Sequence, residues 1–390
     1  MPVTPRGPPS NGFVAFARKI YHPVGFSKGY NFVLWSILIG VLSRFCLSQL
    51  QYLYFYGRFC GPGGGASPGA CFDYLRERWY SIGFIPYLAG ILPGGLLSCV
   101  QFVPVVRHKF ILFHRVNGYA VIILSLLGTA GAFIIVGISF GGDLDVQTGI
   151  GFMGLALVAS LVMAYVNVKR LQIERHRAWM LRAWVYAGSI TTIRILMVVM
   201  VAILFSPYLE GSTLVRDIRT KDYYYSMPCG KVEYAIGDRD ATMAAYPDSA
   251  GYFAGTDPRQ VVSVKGSLTG PSNPAEVAAA LDIVFGSATW LAFAIHLLGV
   301  EIYLRLTPAE TQRLRQVSYQ HLVEAGMRNP GRVSLTVDRF ETRSNQSFST
   351  TAYDSDGPLD FPIIDIDLTT QGALSKDSYI ASIYEARDLE

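Results

Sequence analysis

Apolar positions in this chain are gathered into six long runs, Phe32–Leu53, Ile82–Val106, Gly118–Ile138, Gly149–Val166, Ala183–Phe205 and Leu281–Leu304. A helix needs about 20 mainly apolar residues to cross the hydrocarbon core of a bilayer, so each run predicts a transmembrane helix. The fourth is the shortest and carries no charge. The second contains Pro86 and Pro93. It therefore predicts a kinked or partly unwound helix, whose freed carbonyls need neighbouring helices or water. The expected fold class is all-α, a polytopic transmembrane bundle with a long lumenal loop and a disordered cytoplasmic tail. Its parts are a cytoplasmic segment 1–30, a transmembrane domain 31–305 and a cytoplasmic helix with the tail, 306–390.

The polar segments between the runs set the orientation. Arg107, Lys109 and Arg115 precede the third run with no acid among them, and Lys169, Arg170, Arg175, Arg177 and Arg182 precede the fifth against Glu174 alone. Asp143 and Asp145 stand between the third and fourth with no Lys or Arg. By the positive-inside rule the basic loops face the cytoplasm and the acidic loop the lumen, which puts both termini inside. Arg18, Lys19 and Lys28 before the first run agree with this. The lumenal loop 206–280, rich in Tyr, Gly, Pro and Asp, is too long for a simple connection, and such loops usually cap a site or form a small subdomain. Beyond the sixth run, Thr307-Pro-Ala-Glu310 reads as a capping box that opens a helix ending near Gly326. From Arg328 onward the Ser, Thr, Asp and Asn content predicts disorder. Asn345-Gln-Ser is formally a glycosylation sequon, unused on the cytoplasmic side, and Asp365-Ile-Asp367 falls in the same tail.

Composition supports lipid as the main partner: 51% of the 390 residues are hydrophobic and 16% charged, against about 25% charged in a typical soluble chain. The net charge of +4 is too small to argue for nucleic acid. Met1 to Tyr30 lacks an apolar core followed by a small-residue cleavage site, so the first span is expected to do the targeting. Five cysteines are too few for a disulfide scaffold. Cys46 and Cys99 lie in apolar spans, where small buried side chains are the plain reading. In an oxidising lumen, one disulfide is plausible, with Cys60 and Cys71 the nearest pair in sequence, which leaves Cys229 unassigned.

Ionisable residues inside spans are costly and mark function by default. Arg44 and Arg194, near the middles of the first and fifth spans, could each hold a polar head such as a phenol, quinone or carboxylate. The sixth span contributes Asp282 at its lumenal end, His296 deeper in and Glu301 near its cytoplasmic end. His114-Arg115 and His176-Arg177 enter the third and fifth helices at the depth of Glu301, where they could form a polar pocket. The competing interpretation makes the arginines topology signals and Trp179 and Trp184 interfacial anchors. The sequence lacks GxxxxGK[ST], HExxH, CxxC and the Asp-Asp-x-x-Asp run that would hold magnesium on a diphosphate. No metal or cofactor is expected, and isoprenoid chemistry here would have to begin by protonation.

His114-Arg115-x-x-Gly118 and His176-Arg177-x-Trp179-Met180-x-Arg182, followed by Thr192-x-Arg194, resemble a broad family of uncharacterised bacterial and fungal membrane proteins. Within its fungal branch the chain looks like the membrane-bound terpene cyclases of meroterpenoid pathways, over residues 30 to 305. The resemblance implies a multi-pass enzyme of the endoplasmic reticulum that closes a farnesyl chain on a hydrophobic isoprenoid substrate. A carboxylic acid kept protonated by burial would start the reaction, and aromatic faces would stabilise the carbocation. The first choice for the acid is Glu301, with His114, His176 and Arg194 around it. The competing site is lumenal, with Asp143, Asp145 and Asp282 under the loop that carries Tyr223, Tyr225 and Cys229. Arg44, Arg115, Arg177 and His296 complete the candidates for substrate binding. Two rival classes stay open: haem electron transfer through His114, His176 and His296, and transport along a path lined by Arg44 and Arg194.

Overall fold

A computed structural model describes residues 11–26, 29–205, 222–268 and 273–327. Six helices are long and apolar enough to cross a membrane. After a short helix α1 (Gly12–Tyr21) they are α2 (Gly29–Gln49), α4 (Arg78–Gln101), α6 (Ile111–Ile135), α7 (Leu144–Lys169), α8 (Ile173–Phe205) and α12 (Pro274–Arg305). The chain is a multi-pass membrane protein. Each predicted run falls on one of these helices, with boundaries set by chemistry that hydropathy does not carry.

The second run stops short of Val106. Val103 adopts extended dihedrals before Pro104, as a residue before proline prefers, and Pro104 then opens the short helix α5 (Pro104–Lys109). Pro86 and Pro93 leave α4 as one uninterrupted helix. The fifth and sixth helices start well before their apolar runs. α8 begins at Ile173 because nothing between Ile173 and Ala183 breaks a helix, and its Glu174 is buried against Ser318. α12 begins at Pro274, with Asn273 as its N-cap accepting from Ala275 N at 3.2 Å. Its first turns extend beyond the apolar run and form the floor of a small subdomain.

That subdomain is the described part of the long loop. Strands β1 (Tyr224–Pro228) and β2 (Val261–Lys265) pair antiparallel, with Met227 opposite Val262. Between them lie α9 (Cys229–Ile236), α10 (Arg239–Ala245) and α11 (Ala250–Phe253). Its core joins Met227, Cys229, Val232, Val262 and Val264 to Ala275, Ala278 and Ala279 of α12. Alongside sits α3 (Ala70–Arg76), tied by the Cys60–Cys71 disulfide to the π-helical turn Phe55–Phe59 that follows α2. Cys46, Cys99 and Cys229 are free and buried. This is the capped end of the bundle. The opposite, basic end carries α13 (Pro308–Glu324), docked on α8 where Ser318 Oγ accepts from Ile173 N at 2.8 Å. The expected capping box does not form: Thr307 Oγ1 donates back to Tyr303 O at 3.1 Å, and Glu310 pairs with Arg313. Asn345, Asp365 and Asp367 lie outside the described residues.

Inside the bundle α4 and α6 approach closely through glycine, as is usual where lipid supplies no hydrophobic drive between helices. A Cβ on Gly90 would stand 2.4 Å from Leu124 O, and one on Gly131 would stand 2.5 Å from Gly83 O. α7, α8 and α12 form the other half, around Val146, Ile193, Met197, Val284 and Ala288.

Candidate functional site

Between these two halves, towards the capped end, lies a cavity of about 360 Å³ lined by residues from all six spans. This is the lower end of the usual size for a small-molecule site. One stripe of α4 supplies Phe84, Tyr87, Leu88, Ile91 and Leu92, the spacing of a single helix face. Phe45, Tyr52, Phe59, Tyr74, Phe133, Phe140 and Phe285 bring the aromatic lining to nine side chains with Phe84 and Tyr87. Phe59 stacks on Phe84 at 4.5 Å, and Phe140 stacks on Phe285 at 4.2 Å. The charged side chains in the lining are Arg194, Lys231 and Asp282.

Lys231 Nζ donates to Asp282 Oδ2 at 2.9 Å, and both side chains are nearly sealed from solvent. The α9 helix brings Lys231 down from the subdomain onto the first turns of α12. Asp73 of α3 faces the same ammonium, and burial raises its carboxyl above the ordinary range even with Lys231 and Arg76 nearby. Next to it, burial pushes the Tyr74 hydroxyl up to about 12 against a hydrogen bond with Ser139, so it stays protonated.

Arg194 is different. Its guanidinium lies 4.8 Å from the ring centre of Phe140 and 5.5 Å from that of Phe285. The hydroxyls of Tyr87 and Tyr74 lie near it. Among the described residues no carboxylate pairs with it. Each cation–π contact returns about 0.5–2 kcal/mol, whereas taking an ion out of water costs several kcal/mol. The cation is therefore left under-compensated at the cavity wall.

Residues 94–216 match a family described as a predicted membrane protein (DUF2306). That stretch includes Phe140 and Arg194. The chain is also similar to Ava biosynthesis cluster protein G of Aspergillus versicolor, 23% identical over 341 residues, covering 75% of this chain and 94% of that protein. No solved structure matches the chain.

The other residues singled out in the sequence lie elsewhere. Glu301 is at the basic end, where Arg182 donates to it twice, Nε to Oε1 at 2.6 Å and Nη2 to Oε2 at 3.0 Å, while stacking over Trp179. The expected cluster of Glu301 with His114, His176 and Arg194 does not assemble, because Arg194 lines the cavity and the other three do not. Since a carbonyl can only accept, His176 donates through Nδ1 to Ala164 O at 2.9 Å. The His114 carbonyl accepts from Gln101 Nε2 at 2.8 Å in the first turn of α6. His296 donates through Nδ1 to Val185 O at 2.6 Å, and its Nε2 meets the Thr192 hydroxyl at 2.8 Å, so both ring nitrogens are engaged within the bundle. Arg44 and Arg115 are exposed, Arg177 is half-buried, and none of the three lines the cavity. Asp143 is exposed and accepts from Tyr225 Oη at 3.1 Å, while Asp145 packs its carboxylate into the notch at Gly286.

Sequence reasoning passed over Asp73, Tyr74, Tyr87 and Lys231. The α4 stripe was legible as spacing, and Asp73 and Tyr74 follow Cys71 closely enough for a disulfide to hold them. Nothing in the sequence marks Lys231, whose partner is 51 positions away.

Proposed function

We propose that this chain is a membrane-bound terpene cyclase of secondary metabolism, which folds the farnesyl chain of a meroterpenoid precursor in the aromatic cavity and starts ring closure by protonation. The single observation that carries this reading is an apolar cavity with nine aromatic side chains and one carboxyl, Asp282, on its wall. Similarity to a biosynthesis-cluster protein over 94% of that protein's length supports a place in secondary metabolism. The Cys60–Cys71 disulfide supports an oxidising compartment at the capped end, hence the endoplasmic reticulum lumen, with the basic loops and both termini cytoplasmic.

Asp282 is the proton donor in this scheme. Two carboxyls share the Lys231 ammonium, and like charges at one site disfavour full ionisation of both. Burial raises the Asp73 carboxyl above its ordinary range, and of the two acids Asp282 is the one that lines the cavity. Its proton goes to the oxygen of a terminal epoxide, whose bond from oxygen to the more substituted carbon breaks, or to the less substituted carbon of the terminal alkene, and either way a tertiary carbocation forms. The π electrons of the next double bond close the ring, and the final cation returns a C–H proton to the Asp282 carboxylate. The product is an isomer of the substrate. Aromatic faces stabilise the cation, and an apolar wall keeps out the water that would quench it.

The test is to feed microsomes from a host expressing the chain with a linear farnesylated phenol and its terminal epoxide, alongside Asp282→Asn and Glu301→Gln variants. A cyclised isomer from wild type and Glu301→Gln, lost in Asp282→Asn, is the expected result. Product from Asp282→Asn would remove Asp282 as the acid. No conversion by well-expressed wild type across several head groups would refute the cyclase.

A further inference from the structure

The two cations of the cavity lining differ in their partners. Lys231 is held by Asp282 and also faces Asp73, whereas among the described residues no carboxylate pairs with Arg194, which is the surplus charge on the wall. A carbocation generated beside that surplus would be repelled by it, unless the substrate brings a negative charge of its own. We infer that the substrate carries one planar oxyanion, of the carboxylate or enolate type, at the head of its isoprenoid chain, and that Arg194 binds it. The inference rests on the cavity being the isoprenoid site proposed above.

The geometry favours such a partner. The ring centres of Phe140 and Phe285 lie 4.8 and 5.5 Å from the guanidinium, and among the described residues no carboxylate pairs with it. A guanidinium edge offers parallel N–H donors that match a planar two-oxygen acceptor. Tyr74, whose hydroxyl keeps its proton, is a further donor on the cavity wall. A diphosphate, with several negative charges, would overfill a site that has one to spare. The chain also commits backbone strain to this place. Phe140 sits at φ 47° and ψ 54°, a left-handed conformation that bulky residues avoid, followed by Gly141 and Gly142 at φ 85° and 68°. That turn sets the Phe140 ring against both Arg194 and Phe285.

The experiment is equilibrium binding to the purified full chain in nanodiscs at about pH 7, with 3-farnesyl-4-hydroxybenzoic acid, its methyl ester and oleic acid as probes. Wild type is expected to bind the acid about tenfold or more tightly than the ester, the size of a charge-assisted hydrogen-bond pair. Arg194→Gln should bind the ester as wild type does and lose the preference, and Arg194→Lys should keep part of it. Equal binding of acid and ester by wild type would overturn the proposal without recourse to any variant, and so would a preference that survives in Arg194→Gln. Oleate binding as tightly as the farnesylated acid would overturn the isoprenoid half of the inference. Acid-selective binding with no cyclised product would uphold the oxyanion site and refute the cyclase alone. Equal turnover of acid and ester would do the reverse.

Discussion

Replacing Lys231 by Met would leave the Asp282 carboxylate facing an apolar cavity without the ammonium that now lies 2.9 Å away. The two side chains are 7% and 6% exposed, so water cannot take the place of the lost partner. Breaking a buried ion pair from one side costs about 3–5 kcal/mol, while neutralising both members is often close to neutral. Lys231→Met and Asp282→Asn are each expected to lose about 3 kcal/mol or more, and the double variant to recover most of it. Unfolding free energies of the full chain, from titration of detergent-purified protein with SDS, measure all four corners of this cycle. The Arg182–Glu301 pair is an internal comparison, at 21% and 39% exposure. Its Glu301→Gln variant should lose only about 1 kcal/mol, because solvent screens a pair so open. Single variants at Lys231 and Asp282 that cost no more than Glu301→Gln, or a double variant that costs the sum of its singles, would refute the reasoning.

Gly90→Ala puts a methyl 2.4 Å from Leu124 O and 2.6 Å from Gly128 N, so α4 and α6 must part; overpacking of this kind costs about 1–3 kcal/mol by the same titration, whereas Gly151→Ala, with nothing within 4 Å, should cost nothing. Cys60→Ser with Cys71→Ser opens a crosslink spanning 11 positions, and a loop of that size predicts a loss of about 3 kcal/mol, read as the difference between oxidised and reduced wild type. Asp73 has its folded carboxyl held above the ordinary range by burial, so wild-type stability falls as pH rises from below the unfolded value through the raised folded one. Asp73→Asn lacks that loss and should gain on wild type between about pH 4 and pH 7, and an equal difference in unfolding midpoint at both pH values would contradict the raised carboxyl.

The six spans were legible because the cost of placing peptide and charge in lipid accumulates along the chain, residue by residue. Asp143–Asp145 and the basic loops fall at opposite ends for the same reason. The nearest pair of loop cysteines, Cys60 and Cys71, is also the bonded pair. Helix ends were harder to read. α12 starts at Pro274 because Ala275, Ala278 and Ala279 are covered by a hairpin whose strands pair across 37 positions at the middle, Ser226 to Ser263. Nothing local at Pro274 announces that cover.

The sequence by itself determined the class of molecule, its number of crossings and the presence of charged groups inside the spans. Tertiary structure alone decided which of those charges work together. Glu301, the first choice for the acid, and Asp282, of the competing site, lie on one helix, but one meets Arg182 from 119 positions away and the other meets Lys231 from 51. The spans are apolar on nearly every face, so no stripe of polar residues indicates which side of a helix looks inward. Rotational phase is set by close contacts such as Gly90 on Leu124 and Gly286 on Asp145, and those depend on two helices at once. That phase turns Arg194 towards Phe140 and Phe285 and leaves Arg44 exposed.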